Sequence, residues 1–395
     1  MIDKIGDRCT GCAACANKCP KQCIHMRENK EGFLYPEIDA NHCINCDLCE
    51  KACPVLTPIP INKTEKDVKV YAVTHKDELI RANSSSGGVF TAIAEYVVLQ
   101  GGVVFGAAFN ERWDVEHICV DNLKDLQRLR GSKYVQSRIG NTYQQAKEFL
   151  QAGRLVLFSG TPCQTSGLIG YLGRKYDNLI TQDLICASIP SPMVWRRYLR
   201  YREQMERSKI EKVSFRDKIG GWHSYHLSIL FENGTVYAKS QMDDMMMKAF
   251  LYRRCSRKCC YHCEFKQKYR LADFTLADYW GIQDIAPELD DNRGLSSCYV
   301  NSPKAADILE KINSQINLQE MDLETAVSKN MAMVTSAEEP DDRSAFLSEI
   351  RRRPFDVVVG KYILHTNTRE KILGSLRRIM GNRTYDGIKA IIRRR

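Results

Sequence analysis

Two cysteine runs near the start of the chain constrain its folding more than any other feature. Each run has the spacing C-x2-C-x2-C-x3-C and is followed directly by a proline, Pro20 or Pro54. The cysteines are Cys9, Cys12, Cys15 and Cys19 in the first run, and Cys43, Cys46, Cys49 and Cys53 in the second. Three thiolates spaced this closely can surround three corners of a four-iron cube, and the fourth corner needs a ligand from elsewhere. Two such runs predict two clusters, which would hold together a segment too short to build its own apolar core.

The doubled run resembles bacterial two-cluster ferredoxins, in which the fourth cysteine of each run binds the cluster of the other run. This crossing predicts the ligands of both clusters. One 4Fe-4S cluster takes Cys9, Cys12, Cys15 and Cys53, and the second takes Cys43, Cys46, Cys49 and Cys19.

Disulfides and structural zinc are the alternative uses of these cysteines. A disulfide framework needs an oxidising compartment, but Ile2, Asp3 and Lys4 do not begin an apolar signal segment, so we expect reduced thiols and a cytoplasmic location. Zinc usually takes pairs of cysteines rather than a doubled run of four that ends in proline. The pattern therefore favours iron–sulfur clusters.

Composition indicates a globular protein with one basic end. The chain has 395 residues, 44% of them hydrophobic and 27% charged, which suits two or three domains without a membrane span. Residues 351–395 contain 13 Lys and Arg against 3 Asp and Glu, so the whole formal charge of +10 lies in this tail. Arg369 to Met380 predicts an amphipathic basic helix, which would pack on the body or contact an acidic partner or an anionic membrane surface. We predict no nucleic-acid contact.

The rest of the chain alternates apolar runs with helical patterns. Pro54, Pro58 and Pro60 indicate a linker. The alternation from Val70 to Met205, which includes a helical pattern from Val89 to Leu99 and an apolar strand from Val103 to Phe109, predicts an α/β body. Beyond Ile210, an Asn-Gly pair between two apolar runs predicts a hairpin. We therefore predict an α+β protein: a ferredoxin domain, then an α/β body with a mixed sheet and a helical basic tail.

Five ordered motifs in the body resemble one family. They are Ser84-Ser85-Ser86-Gly87-Gly88-Val89-Phe90, Arg130-Gly131-Ser132-Lys133-Tyr134-Val135, Ser159-Gly160-Thr161-Pro162-Cys163-Gln164, Asp183-Leu184-Ile185-Cys186 and Cys260-Tyr261-His262-Cys263. With the cysteine runs, they make the chain similar to the family of the coenzyme F420 hydrogenase/dehydrogenase beta subunit, in its branch with a fused two-cluster ferredoxin domain. The resemblance implies domains at 1–60 (ferredoxin), 61–160 (family N-terminal part), 161–340 (family C-terminal part) and 341–395 (basic tail).

The resemblance implies an iron–sulfur flavoprotein oxidoreductase. Members bind FAD and pass electrons between clusters, flavin and a deazaflavin or another acceptor, and this branch is often found in bacterial surface-polysaccharide gene clusters. Members of the branch occur in organisms that are not expected to make the deazaflavin. The chain also departs from the family pattern, because Ala187 follows Cys186 where a histidine is usual. A non-catalytic subunit that relays electrons to a partner protein is the alternative.

The same motifs suggest where cofactors bind. Ser84, Ser85, Ser86, Gly87 and Gly88 precede a predicted helix, and small residues at a helix N-terminus suit either an anion or an ordinary helix cap. Family resemblance favours FAD there, with Gly131, Ser132 and Lys133 as a second contact.

A third 4Fe-4S cluster is predicted on Cys163, Cys186, Cys260 and Cys263. Cys163 and Cys186 each follow a predicted strand, so parallel neighbours would bring them to one sheet edge. Buried thiols with zinc at the C-x2-C pair are the alternative, and Cys255 or Cys259 could replace a ligand. A Pro-Cys-Gln loop also occurs in DNA cytosine methyltransferases, but the chain lacks their other motifs.

Overall fold

The central feature of the fold is a mixed sheet of eight strands. The computed structural model describes residues 2–364. The strands in this part of the chain are β1 (Ile24–Glu28), β2 (Leu34–Ile38), β3 (Lys69–His75), β4 (Val103–Phe109), β5 (Val115–Val120), β6 (Val156–Ser159), β7 (Leu179–Leu184), β8 (Ile210–Asp217), β9 (His226–Phe231), β10 (Val236–Ser240), β11 (Phe274–Asp278), β12 (Ser296–Val300) and β13 (Ile316–Met321). The helices are α1 (Ala14–Lys18), α2 (Leu48–Ala52), α3 (Glu78–Ala82), α4 (Val89–Leu99), α5 (Thr142–Gln151), α6 (Pro162–Leu172), α7 (Pro192–Glu206), α8 (Met245–Leu251), α9 (Pro303–Lys311), α10 (Leu323–Lys329), α11 (Arg343–Ile350) and α12 (Phe355–Val359).

The large sheet has the strand order β13-β3-β12-β11-β7-β6-β4-β5. Strands β11, β7, β6 and β4 are mutually parallel, and the remaining pairs are antiparallel. Because β3 and β11 are both antiparallel to β12, β3 runs in the direction of the parallel strands. The carboxyl ends of β3, β11, β7 and β6 therefore meet at one edge, where ligands of open α/β sheets commonly bind.

Apolar runs explain why the parallel strands lie at the centre. Val103–Phe105 of β4 and Val156–Phe158 of β6 are fully buried, as expected for strands covered by helices on both faces. Helices α4 and α9 contribute buried side chains to the core on one face, and α5 and α6 contribute to the other. The predicted α+β class with a mixed sheet is confirmed.

Two smaller antiparallel sheets flank this body. Strands β1 and β2 pair within the cysteine-rich segment, and β8, β9 and β10 form a three-stranded sheet. The predicted hairpin is confirmed: β9 and β10 flank Asn233-Gly234, where Gly234 has φ +81°. A left-handed backbone at that turn favours glycine.

The cysteine-rich segment packs directly on helix α6. Cys12, Ala14 and Ala52 share one core with Tyr143 and Leu168 of the body. Glycines on α6 permit this approach, because a Cβ on Gly170 would lie 2.5 Å from the carbonyl oxygen of Ala52. The two parts of the chain therefore form one continuous apolar core.

The end of the described chain carries two short helices. Helices α11 and α12 pack their buried residues on the core that contains the β8–β9–β10 sheet. The predicted basic helix from Arg369 to Met380 lies outside the described residues. Among residues 2–364, no helix has both the length and the apolar composition to cross a membrane.

Candidate iron–sulfur and cofactor site

The two cysteine runs adopt the same local fold. Gly11 and Asn45 occupy equivalent positions between the first two cysteines of each run, with φ of +72° and +52°. Ala13 and Asp47 precede helices α1 and α2 with φ of +59° and +57°. Gly and Asn tolerate this left-handed conformation best, and its repetition bends each run into a tight loop that presents its cysteines on one side.

The first cysteine set lies at the interface with the body. Cys9, Cys12, Cys15 and Cys53 are each at most 8% exposed. They are close enough for the charges of Cys9 and Cys53 to raise the pKa of both Cys12 and Cys15, in addition to the effect of burial. The structure thus brings Cys53 of the second run to the first run.

The second set surrounds a small cavity of about 20 Å³. Its lining includes Cys19 of the first run together with Cys43, Cys46 and Cys49 of the second. Cys46 is exposed, so this set lies nearer to solvent than the first. Within residues 2–364 no three His, Cys, Asp or Glu side chains converge to hold a single metal ion, whereas a cubane needs thiolates spread over its corners.

A ninth cysteine beside the second set is absent from the sequence-based prediction. Cys23 lines the same cavity, and its sulfur lies 3.4 Å from that of Cys19. Burial acts to raise the pKa of Cys19, but hydrogen bonds from the backbone and thiol of Cys23, together with those from the backbone of Lys21 and Gln22, lower it overall. Its position four residues after Cys19 was the available signal.

Arg257 is a fully buried cation between the cysteine segment and the body. Its Nε donates to the carbonyl oxygen of Cys9 at 2.7 Å, and its Nη2 donates to that of Leu34 at 2.9 Å. Its guanidinium also lies 4.1 Å from the ring centroid of Tyr35. No carboxylate pairs with it in the described part of the chain, and the groups around its charge are neutral acceptors, the Tyr35 ring and nearby cysteines. A buried charge of this kind is costly unless an anion is near.

The third cysteine set gathers at the carboxyl edge of the sheet. Cys163 lies in the first turn of α6 after β6, and Cys186 follows β7, the parallel neighbour of β6. Cys260 and Cys263 lie in and directly after a 3-10 turn, Lys258–His262. Burial, together with the nearby Cys260 and Cys263, raises the pKa of Cys186 to about 12. The structure therefore brings these four thiols into one neighbourhood.

The two further cysteines of this region differ in their surroundings. Cys255 is fully buried in the apolar core, and burial raises its pKa to about 12. Cys259 is adjacent to Cys260, and the interaction of the two side chains raises the pKa of Cys259 and lowers that of Cys260. This difference favours Cys260 as the thiolate ligand of the pair.

A cavity of about 500 Å³ lies next to this third set. Its lining includes Cys163 and Cys186, and also Thr10 from the loop of the first cysteine run. Its volume falls in the range of about 300–1,000 Å³ typical of cofactor and ligand sites. The cavity thus contacts two cysteines of the third set and a residue beside Cys9 of the first set.

The two predicted cofactor loops line the same cavity. The lining includes Ser84, Ser85, Ser86, Gly88, Gly131, Ser132 and Lys133. Ser85 joins the loops, because its Oγ accepts from the backbone N–H of Ser132 at 2.7 Å and lies 2.9 Å from the Ser132 hydroxyl oxygen. The first-turn amides of Val89 and Phe90 in α4 have no acceptor among the described residues. Free amides at a helix N-terminus suit a phosphate.

Gly87 and Lys133 differ from the other residues of these loops in their contacts. Gly87 does not line the cavity: a Cβ there would lie 2.1 Å from the carbonyl oxygen of Val73, so its glycine lets the loop pack on β3. The Lys133 ammonium donates to the carbonyl oxygens of Leu129, Arg130 and Gly131 at 3.3, 2.9 and 3.1 Å. Burial lowers the pKa of Lys133 to about 7, so its charge at the cavity depends on pH.

Sequence reasoning gave no role to Arg216 or Trp222. Arg216 forms two hydrogen bonds with the carboxylate of Asp278, at 2.7 and 2.9 Å, and donates to the carbonyl oxygen of Ser85 at 3.1 Å. Trp222 Nε1 also donates to Asp278, at 2.9 Å. These contacts hold the loop Ser84–Gly88 at the end of β11.

His117 is a further lining residue that sequence reasoning missed. Its Nε2 donates to the carbonyl oxygen of Ser159 at 3.0 Å, and its Nδ1 lies 2.6 Å from the Ser137 hydroxyl. Burial lowers its pKa to about 4, so the imidazole is neutral and holds the end of β6 next to Cys163.

Three family models match this chain. Residues 8–56 match the 4Fe-4S dicluster domain model. Residues 70–142 and 153–326 match the N-terminal and C-terminal models of the coenzyme F420 hydrogenase/dehydrogenase beta subunit. The chain belongs to the family of the coenzyme F420 hydrogenase/dehydrogenase beta subunit. Its N-terminal segment is an iron–sulfur dicluster domain.

Two curated relatives and one solved structure are similar to this family member. It is 28% identical over 167 residues to a subunit of the F420H2 dehydrogenase of Methanosarcina mazei, across 40% of this chain and 46% of the relative. It is 25% identical over 202 residues to an uncharacterized protein of Methanocaldococcus jannaschii, across 44% of this chain and 55% of the relative. The chain thus spans about half the length of each. A chain of the F420-reducing NiFe hydrogenase complex from Methanosarcina barkeri aligns with a TM-score of 0.44 and 16% identity, covering 66% of this chain and 89% of that one.

Proposed function

We propose that the chain is an iron–sulfur flavoprotein oxidoreductase, which moves electrons between its 4Fe-4S clusters and FAD and on to an acceptor or substrate. One observation carries the proposal: a single cavity is lined by residues of the loops Ser84–Gly88 and Gly131–Lys133, by Thr10 of the first cysteine run, and by Cys163 and Cys186. A redox cofactor in this cavity would be next to both cysteine sets. Family membership supports the same function.

The loops Ser84–Gly88 and Gly131–Lys133 would hold the phosphates of FAD. Hydroxyl groups, the free first-turn amides of α4 and the Lys133 ammonium are the donors that a diphosphate requires. Bound FAD would supply the conversion between one-electron cluster steps and two-electron hydride chemistry. Arg216, held by Asp278, would keep the loop Ser84–Gly88 in position.

A third 4Fe-4S cluster on Cys163, Cys186, Cys260 and Cys263 completes the proposal. Burial raises the pKa of Cys163, Cys186 and Cys263, so a bound cluster would be needed to hold them as thiolates, and the interaction with Cys259 that lowers the pKa of Cys260 would support its thiolate. The side chain of Tyr143 lies between the first and third sets: charges on both Cys12 and Cys163 raise its pKa further beyond the effect of burial. This proximity supports electron movement between the two sets.

Electrons would enter or leave at the second cysteine set. Cys46 is exposed, as is the neighbouring Ile44, whereas the first set is buried against α6. A redox partner protein could therefore approach the second cluster. One curated relative is named as a subunit of a dehydrogenase, which supports such a partner.

The second candidate is a non-catalytic subunit that relays electrons to a partner enzyme, and the exposed second set favours it equally. The candidates differ in the use of the large cavity, which only the catalytic role requires. We propose a cytoplasmic location, and the setting of surface-polysaccharide synthesis rests on the family branch alone.

Paired substitutions at Ser85 test the flavin site. Ser85→Glu places a negative charge where we propose the FAD phosphates, whereas Ser85→Gln has nearly the same size and is neutral. We expect the Glu variant to lose FAD, the Gln variant to retain clearly more, and both to keep the iron of the N-terminal clusters. Equal FAD content and affinity in the two variants would place the flavin elsewhere.

A further inference from the structure

The large cavity contains more basic side chains than carboxylates. Within residues 2–364, the basic side chains that line it are those of Arg130, Lys133, Arg216 and Arg253, against a single carboxylate, that of Asp278. Arg216 pairs with Asp278, Arg130 lies 3.6 Å from the carboxylate of Glu95, and Lys133 donates to carbonyl oxygens. Arg253 makes no such pair.

The guanidinium of Arg253 keeps most of its donors free. Its Nη1 forms one long hydrogen bond, 3.3 Å, to the hydroxyl of Ser188. A guanidinium has five N–H donors in a planar fork that fits a carboxylate or a phosphate. The remaining N–H groups therefore have no carboxylate acceptor in the described part of the chain.

The surrounding chain fixes the position of Arg253. It follows α8 at a position where helices often end with glycine, and it has a φ of +62°. The Tyr261 hydroxyl donates to its carbonyl oxygen, and its side chain lies 5.1 Å from the ring centroid of Phe250. These contacts hold the backbone and the guanidinium of Arg253 in place.

The location of Arg253 adjoins the third cysteine set. Its contact Ser188 and the neighbouring Ala187 both line the cavity two residues or fewer after Cys186. Ala187 and Ser188 are small and uncharged, so Arg253 is the charged group that lines the cavity beside them. Burial lowers the pKa of Arg253, while the nearby thiols of Cys186, Cys255 and Cys260 act in the opposite direction, so the guanidinium lies in a poorly hydrated setting beside the third cysteine set.

We propose that Arg253 anchors an anionic subsite, which takes the carboxylate or phosphate group of the small-molecule electron acceptor or donor. The inference rests on the proposed function and specifies the substrate class of the same cavity. The bidentate fork orients that group beside Cys186, at the end of the cavity where electrons would leave the third set. The substrate is therefore an acid rather than a neutral compound.

Binding of small anions to the cofactor-loaded full chain tests this subsite. Inorganic phosphate and oxalate are titrated by calorimetry into the wild type, Arg253→Gln and Arg253→Lys, with iron and flavin measured in each preparation. We expect Arg253→Gln to weaken at least one probe by about 10- to 100-fold, and Arg253→Lys to weaken it less. Arg200→Gln, at an exposed position of α7, is the matched control and should bind as the wild type does.

Three outcomes would overturn the subsite. Equal probe affinities in the wild type and Arg253→Gln, or no binding of either probe to the wild type, would show that no anion site depends on this residue. Loss of FAD in Arg253→Gln would assign the guanidinium to the flavin instead. Wild-type protein without any FAD would contradict the proposed function itself, which is a separate result from the probe titration.

Discussion

Gly170 tests whether the dicluster segment depends on its contact with helix α6. The substitution Gly170→Ala adds a methyl carbon 2.5 Å from the carbonyl oxygen of Ala52, whereas real Cβ contacts essentially never fall below 3.0 Å. The backbone at Ala52 must therefore retreat by at least 0.5 Å, the difference between these distances. Ala52 directly precedes Cys53, so the retreat displaces a residue that we predict to be a ligand of the first cluster.

Two opposing contributions determine how much Gly170→Ala changes the free energy of unfolding. Alanine stabilises a helix interior by about 1 kcal/mol relative to glycine. Overpacking of a rigid backbone contact typically costs about 1–3 kcal/mol. We therefore expect a net loss of up to about 2 kcal/mol for Gly170→Ala.

Iron release to a chelator, followed under anaerobic conditions, measures the effect. Gly170→Ala should lose iron from the first cluster faster than the wild type, with an altered electron paramagnetic resonance signal for that cluster. Gly360→Ala is the matched control, because its Cβ would meet nothing within 4 Å. If Gly170→Ala kept its iron as firmly as Gly360→Ala, the segment would not depend on this contact.

Three further predictions concern the clusters and the flavin. Arg257→Gln should lower the reduction potential of the first cluster by about 60 mV or more, a tenfold change for one electron, because a buried positive charge is removed; an unchanged potential in a redox titration would refute this. Cys53→Ala should damage the cluster of the first run and Cys19→Ala that of the second, and spectroscopy showing the reverse would exclude the crossing arrangement. FAD affinity should fall as the pH rises above about 7, by at most tenfold per unit, because free Lys133 loses its proton there and a bound phosphate needs the charged form. Lys133→Arg should flatten this pH profile in a fluorescence titration, and an equally steep profile would show that Lys133 does not contact the phosphate.

Strands and helices with strong patterns could be predicted from the sequence. The predicted helix Val89–Leu99 and strand Val103–Phe109 agree with α4 and β4 as observed. Both are long apolar segments bounded by glycines or polar residues, so local pattern and tertiary burial favour the same structure. The parallel adjacency of the strands before Cys163 and Cys186 is confirmed for the same reason.

Strands without such patterns were missed. Strand β12 is fully buried although it begins with Ser296 and Ser297, since it lies between β3 and β11 and its backbone is paired on both sides. Strand β13 is an edge strand in which only Ile316 is buried, so it shows no alternation. Tertiary pairing, which the local sequence does not encode, decided both.

Sequence patterns identified some of the functional residues and missed others. The cysteines and the loops Ser84–Gly88 and Gly131–Lys133 could be recognised in the sequence from their spacing and composition, and the structure brings them together. Arg253 and Arg257 are isolated basic residues in the sequence, and only the fold reveals that one faces the cavity and the other is buried without a carboxylate. Such groups could not be selected from the 58 Lys and Arg of the chain by pattern alone.

Quantification of iron, sulfide and flavin in the anaerobically purified full chain tests the central claim most directly. Three four-iron clusters with one flavin predict about twelve irons, about twelve sulfides and one FAD per chain. About eight irons without flavin would contradict the account, because the large cavity and the third cysteine set would then hold neither proposed cofactor.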